Sequence, residues 1–166
     1  MRQQDRPVRH DNQHFRYENQ IVTRQDNLKL HPKKLSKVID NLQQRETYEK
    51  ISNIIKKDLS KSYVRLEIIG DKKGFWLKPH KDISEKLMTM MIWANPYKES
   101  ESLGTDLYDK DFKLVKTIKY LHNNGYFFSS GQDTWHGLEL KEIKKERRCI
   151  QINYVDFETE WPVDKY

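Results

Sequence analysis

The sequence predicts a mainly β fold, a sandwich or barrel, with a helical layer on its N-terminal side. Three observations carry this. Apolar residues recur at helical spacing between Pro32 and Leu59. From residue 62 onward, short strand-like runs are separated by turn sequences. Four Trp, nine Tyr and six Phe supply large side chains for the core of one domain spanning 1–166.

Residues 1–27 are rich in Arg, Gln, Asn, Asp and His and read as an arm, loosely ordered or draped over the domain. Its few apolar anchors, Val8, Phe15, Tyr17, Ile21 and Val22, predict a short strand near 15–23. Residues 32–59 form the helical layer. Pro32 suits a first helical turn, Leu35, Val38, Ile39 and Leu42 make one stripe, and Tyr48, Ile51, Ile54, Ile55 and Leu59 make another. The polar run Gln43-Gln44-Arg45-Glu46 separates two helices. Residues 62–155 form the β core. Strands are predicted at 63–69, 75–80, 87–93, 103–108, 114–118, 125–129 and 147–155, with turns at 70–74, 95–96 and 123–124. Helices followed by a run of strands imply a helical layer packed on a sheet.

The strand at 147–155 has two unlike faces. Arg148, Ile150, Ile152 and Tyr154 form a mostly apolar face suited to lie under the helices. Arg147, Cys149, Gln151 and Asn153 form a polar face on what is expected to be a central strand. Polar groups there suggest the lining of a pocket.

The net charge is +6, from 31 basic and 25 acidic residues. The lysine pairs at 33–34, 56–57, 72–73 and 144–145 are scattered, which favours a solvated surface over a nucleic-acid interface. Cys149 is the only cysteine, so no internal disulfide forms and a reducing cytosol is compatible. No apolar run approaches the ~20 residues that span a membrane. The N-terminus lacks the apolar core of a secretory signal, so the expected location is the cytoplasm. No pattern specifies an oligomer.

Chemistry enters at Pro79-His80-Lys81-Asp82 and, far downstream, Thr134-Trp135-His136-Gly137. Two imidazoles and one carboxylate are the ligand set of the facial triad that holds non-haem Fe(II) and leaves positions open for co-substrate and oxygen. In an extended segment, His80 and Asp82 point the same way, and His136 must arrive on another strand. Taken singly, His80 reads as a turn histidine, Asp82 as a cap and His136 as a core histidine. Their order and spacing favour the metal. His10, His14, His31 and His122 have no partners at ligand spacing. A 2-oxoacid bound at such a metal has a far carboxylate that a buried guanidinium would grip, and Arg147 lies on the polar face. Arg148 competes, because a one-residue register change exchanges the faces. Trp76, Trp93, Trp135 and the Met88, Met90, Met91 group read as packing, and Cys149 as a small buried side chain.

Five segments together resemble the 2-oxoglutarate/Fe(II)-dependent oxygenases, in particular their prolyl-4-hydroxylase-like branch. Residues 74–82 resemble the metal-binding strand, 86–95 the strand that follows, and 104–108 a Gly-rich strand start. Trp135-His136-Gly137 resembles the distal histidine, and Arg147-Arg148-Cys149 the Arg-x-Ser pair that grips the co-substrate tail. The resemblance covers roughly residues 60–155. It implies a double-stranded β-helix, the jelly-roll of cupin-like proteins, with helices on the major sheet. It implies Fe(II) held by His80, Asp82 and His136, and 2-oxoglutarate held at the metal and by Arg147. It also implies O2 as oxidant, with ascorbate a candidate reductant. The reaction implied is oxidative decarboxylation of 2-oxoglutarate to succinate and CO2, coupled to C–H hydroxylation of a small-molecule or peptidyl substrate, a prolyl residue among them.

This chain departs from the family in two places. Cys149 stands where a Ser is frequent, and Leu77 where prolyl hydroxylases often carry a Tyr that touches the co-substrate. Tyr63, Tyr126 and Thr89 are the candidate substitutes. Alkylated-DNA demethylases carry a second Arg six residues after the first, and here that position is Asn153. Asp82 speaks against a halogenase, which needs a small residue there. The alternatives are a cupin-type metal enzyme that does not use 2-oxoglutarate and a non-catalytic binding module of the same fold.

Overall fold

The computed structural model describes residues 8–10, 14–16, 20–23 and 32–163. Three short strands come first: β1 (Val8–His10), β2 (His14–Arg16) and β3 (Gln20–Thr23). Of the strand expected near 15–23, 15–16 and 20–23 are extended, while 17–19 lie outside the described residues, as does most of the arm. β1 pairs with β2, and β3 pairs with the first long strand of the core.

The helical layer consists of α1 (Pro32–Gln43) and α2 (Arg45–Ile55), broken at Gln44 within the expected polar interruption. Lys56 closes α2 in the left-handed conformation, φ 57°. The core strands are β4 (Tyr63–Asp71), β5 (Leu77–His80), β6 (Lys86–Ala94), β7 (Thr105–Tyr108) and β8 (Leu114–Ile118). They continue with β9 (Gly125–Ser129), β10 (His136–Leu138), β11 (Arg147–Val155) and β12 (Trp161–Pro162). β4 runs two residues beyond the sequence reading because Gly70 and Asp71 pair with Arg148 and Arg147. The turn follows only at Lys73-Gly74, where Gly74 takes φ 87°. β10 and β12 are too short to show a period and were not anticipated.

Beside the two-stranded β1-β2 sheet, the strands form two larger antiparallel sheets. The large one has the order β12-β4-β11-β6-β9, with β3 also on β4, and the small one β5-β10-β7-β8. Along the chain from β4 to β11, strands go back and forth between the sheets. β11 lies at the centre of the large sheet, in register with β4 on one side and β6 on the other.

Two apolar cores result. The outer one joins Ile39, Leu42, Tyr48 and Ile51 of the helices to Val64, Leu66, Met88, Ile152 and Tyr154 of the large sheet. The Tyr154 hydroxyl donates to the Leu42 carbonyl at 2.6 Å, tying helix to sheet. The inner core, with Ile69, Met91, Trp93 and Cys149 of the large sheet and Leu138 of the small one, fills the space between the sheets. At one side of that space the filling is polar.

Candidate metal centre

β10 pairs with β5 so that His136 faces His80 directly across the ladder. The imidazole centroids are 4.4 Å apart, with the rings tilted by 52°. Gly137 allows this approach: a Cβ there would lie 2.6 Å from the Leu77 carbonyl oxygen. β5 ends at His80, and Asp82 follows in the connection to β6. The expected extended run through Asp82 is thus cut short, because the β5–β10 ladder ends at the His80–His136 pair. One ligand atom from each of His80, Asp82 and His136 nonetheless lies within 4.8 Å of the others.

The tautomers follow from the hydrogen bonds. His80 Nδ1 is 2.9 Å from the Lys78 carbonyl oxygen, and His136 Nδ1 is 2.9 Å from that of Thr134. A carbonyl only accepts, so each Nδ1 carries the hydrogen and each Nε2 keeps its lone pair. Burial, with His136 nearby, lowers His80 to about 4, and burial likewise lowers His136. Both shifts favour the neutral imidazole, which is the form that donates a lone pair. Burial pushes the Asp82 carboxyl up, but the charge of Lys86, the charge His136 takes on in acid, and bonds from Lys86 and Thr89 outweigh it and hold it at about 2. Lys86 Nζ donates to Asp82 Oδ1 and Thr89 Oγ1 to Asp82 Oδ2, each at 2.6 Å. Two neutral imidazole donors and one ionised carboxylate on one wall fit a divalent cation with an open side.

These groups line a cavity whose space is about 550 Å³ when the open solvent at its mouth is counted. Arg147 and Cys149 of β11 also line it, as do Thr89 of β6 and Tyr126 and Phe128 of β9. Arg148 points to the other face, where it bonds Glu146 and Tyr97. Arg147 is buried. Its Nε donates to the Leu103 carbonyl at 2.5 Å, and its Nη1 pairs closely with the buried Asp71. The guanidinium also lies 4.8 Å from the centre of the Trp93 ring. Burial pushes the Cys149 thiol up to about 12, so it stays protonated and unreactive.

Of the candidate replacements for the missing tyrosine, Tyr63 is not at the cavity. It shares a strand face with Ile69, which does line the cavity, but lies six residues away, roughly 20 Å along β4. Tyr126 is at the cavity, stacked with Phe128, whose ring meets His136 edge-on at 5.1 Å. Thr89 lines the cavity, but its hydroxyl hydrogen goes to Asp82. Asn153 is fully buried and donates to Thr89 Oγ1 at 2.8 Å. The sequence reading missed Lys86 and Asp71. Asp71 was concealed by ending β4 at Ile69, since the longer strand places it opposite Arg147.

No family model matches the sequence, and no curated protein matches it. Solved structures do. A prolyl-4-hydroxylase from Pseudomonas putida superposes with a TM-score of 0.61 at 11% identity, over 84% of this chain and 73% of its own. A prolyl hydroxylase from Trichoplax adhaerens was solved with a hypoxia inducible factor oxygen degradation domain peptide fragment. It aligns at TM-score 0.45 and 21% identity over 55% of this chain, which spans 43% of that hydroxylase. Two helices and two antiparallel sheets are thus arranged here in the fold that the Pseudomonas putida prolyl-4-hydroxylase shares.

Proposed function

We propose that this chain is an Fe(II)- and 2-oxoglutarate-dependent oxygenase of the prolyl-4-hydroxylase-like branch, hydroxylating a peptidyl or small-molecule substrate. One observation carries the reading: two Nε2 lone pairs and the Asp82 carboxylate converge on a cavity that Arg147 also lines. The alternation of strands between the two sheets supports a double-stranded β-helix. His80, Asp82 and His136 would hold the iron, which supplies oxygen activation when bound. Lys78 and Thr134 orient the two imidazoles through their carbonyls, and Thr89 orients the carboxylate. Arg147 would receive the far carboxylate of 2-oxoglutarate, because a guanidinium has more donors than Leu103 and Asp71 use. Tyr126 and Phe128 form an aromatic wall beside the His136 imidazole. Ascorbate is the proposed reductant, and the cytoplasm the proposed setting. Among the described residues, no helix is long and apolar enough to cross a membrane.

The pairing of Arg147 with Asp71 favours a second reading, a cupin-type metal enzyme without 2-oxoglutarate, since the arginine charge already has a counter-ion. Anaerobic titration with Fe(II) and then 2-oxoglutarate separates the two. The first reading expects a visible charge-transfer band that His80→Ala abolishes and Arg147→Ala shifts to higher co-substrate concentration. Metal binding without a band supports the second. Failure to bind any divalent metal overturns both and leaves a non-catalytic module.

A further inference from the structure

The inner face of the large sheet carries a hydrogen-bond chain that ends on Asp82. Gln151 Nε2 donates to Asn153 Oδ1 at 3.1 Å, Asn153 Nδ2 to Thr89 Oγ1 at 2.8 Å, and Thr89 Oγ1 to Asp82 Oδ2 at 2.6 Å. Its direction is dictated from the acidic end. An ionised carboxylate only accepts, so the single hydroxyl hydrogen of Thr89 must go to Asp82. Thr89 Oγ1 can then only accept from the amide NH2 of Asn153. That turns the Asn153 carbonyl toward Gln151, whose NH2 must donate. The register makes the chain possible, because Thr89 and Asn153 are direct partners across β6 and β11, and Gln151 is the next residue on the same face. Thr89 and Asn153 are buried, at 3% and 0% exposure, so water does not substitute for either. Gln151 reaches the cavity wall.

We propose that Thr89, Asn153 and Gln151 are positioning residues that lock the Asp82 carboxylate in the orientation in which it grips the metal. The proposal rests on the metal-centre reading. Groups that hydrogen-bond a metal ligand change metal affinity by about 10–100-fold when removed. The measurement is anaerobic Mn(II) and Fe(II) affinity by competition with a chromophoric chelator, alongside the melting temperature of each apo-protein. Thr89→Val keeps the shape and removes the hydroxyl, and weaker binding by about 10-fold or more is expected, with Thr89→Ser restoring it to within about threefold of wild type. Asn153→Asp tests the direction. When ionised, its carboxylate can only accept from Thr89, which draws the hydroxyl hydrogen away from Asp82, so at pH values that ionise it affinity falls as in Thr89→Val. Gln151→Met, at the far end, is expected to cost only a few-fold. If Asn153→Asp does not fold, Thr89→Val against Thr89→Ser decides alone. A folded Thr89→Val that binds metal like wild type overturns the positioning role while leaving the metal centre intact. A wild-type protein that binds neither metal overturns both.

Discussion

β11 has two buried faces with opposite chemistry. Ile152 and Tyr154 on its outer face sit in a dry apolar core against the helices. Arg147, Gln151 and Asn153 on its inner face are polar, and each is pinned by a named partner. Ile152, Tyr154, Arg147 and Asn153 are all buried, so burial alone does not separate a structural face from one that lines a cavity. The inner face carries desolvated polar groups that an apolar core would not need, and it offsets their cost through hydrogen bonds and an ion pair. That arrangement holds side chains in one orientation around a cavity. The outer face contributes cohesion.

The contrast can be broken most directly at the proposed metal site. His136→Ala is expected to abolish divalent-metal binding while the apo-protein still unfolds cooperatively. Ile152→Ala is expected to lose about 2–5 kcal/mol of stability with metal affinity unchanged. Calorimetric titration and denaturant melts on both variants check this, and a shared phenotype would erase the distinction between the faces.

Arg147 sharpens it next. Arg147→Met leaves Asp71 buried without its guanidinium and is expected to cost about 3–5 kcal/mol. Adding Asp71→Leu to Arg147→Met is expected to recover much of that loss, because the cost belongs to a buried carboxylate that has lost its guanidinium. Urea melts of the single and double variants measure it. Additive losses would show that the pair is ordinary packing.

The smallest effect concerns Glu99, which extends the rule of pinned polar groups beyond the strand. Burial pushes its carboxyl up, but the backbone N–H groups of Lys145, Lys144 and Glu146 outweigh this and hold it below its ordinary value. They belong to the segment leading into Arg147. The unfolded chain takes up the proton first as pH falls, so stability from this clasp is complete above the ordinary glutamate range and is lost below it. Acid melts of Glu99→Gln against wild type are expected to show a shallower decline in the variant.

Much of this protein was legible in its residues. Helical spacing at 32–59 and alternation at 63–69 and 147–155 are local properties, and each marks which face of its element is apolar. The opposed faces of 147–155 follow from the period of a strand. The order His80, Asp82, His136 suggests a ligand set, and the fold brings one ligand atom of each within 4.8 Å of the others. What the chain could not say by itself depended on register. Alternation within β4 did not reveal that the strand continues to Asp71, and so did not reveal the ion pair with Arg147. Tyr63 and Tyr126 were equal candidates as letters, and only the stacking of β9 on β6 brings Tyr126 to the cavity. β10, three residues long, has no period to read, yet its pairing with β5 sets His136 against His80. Thr89 was marked as a contact for a co-substrate, while pairing with Asn153 gives its hydroxyl to Asp82. Periodicity is written along the chain, where neighbours in sequence define it. The site is made across the chain, where hydrogen-bond ladders between distant strands decide which side chains meet.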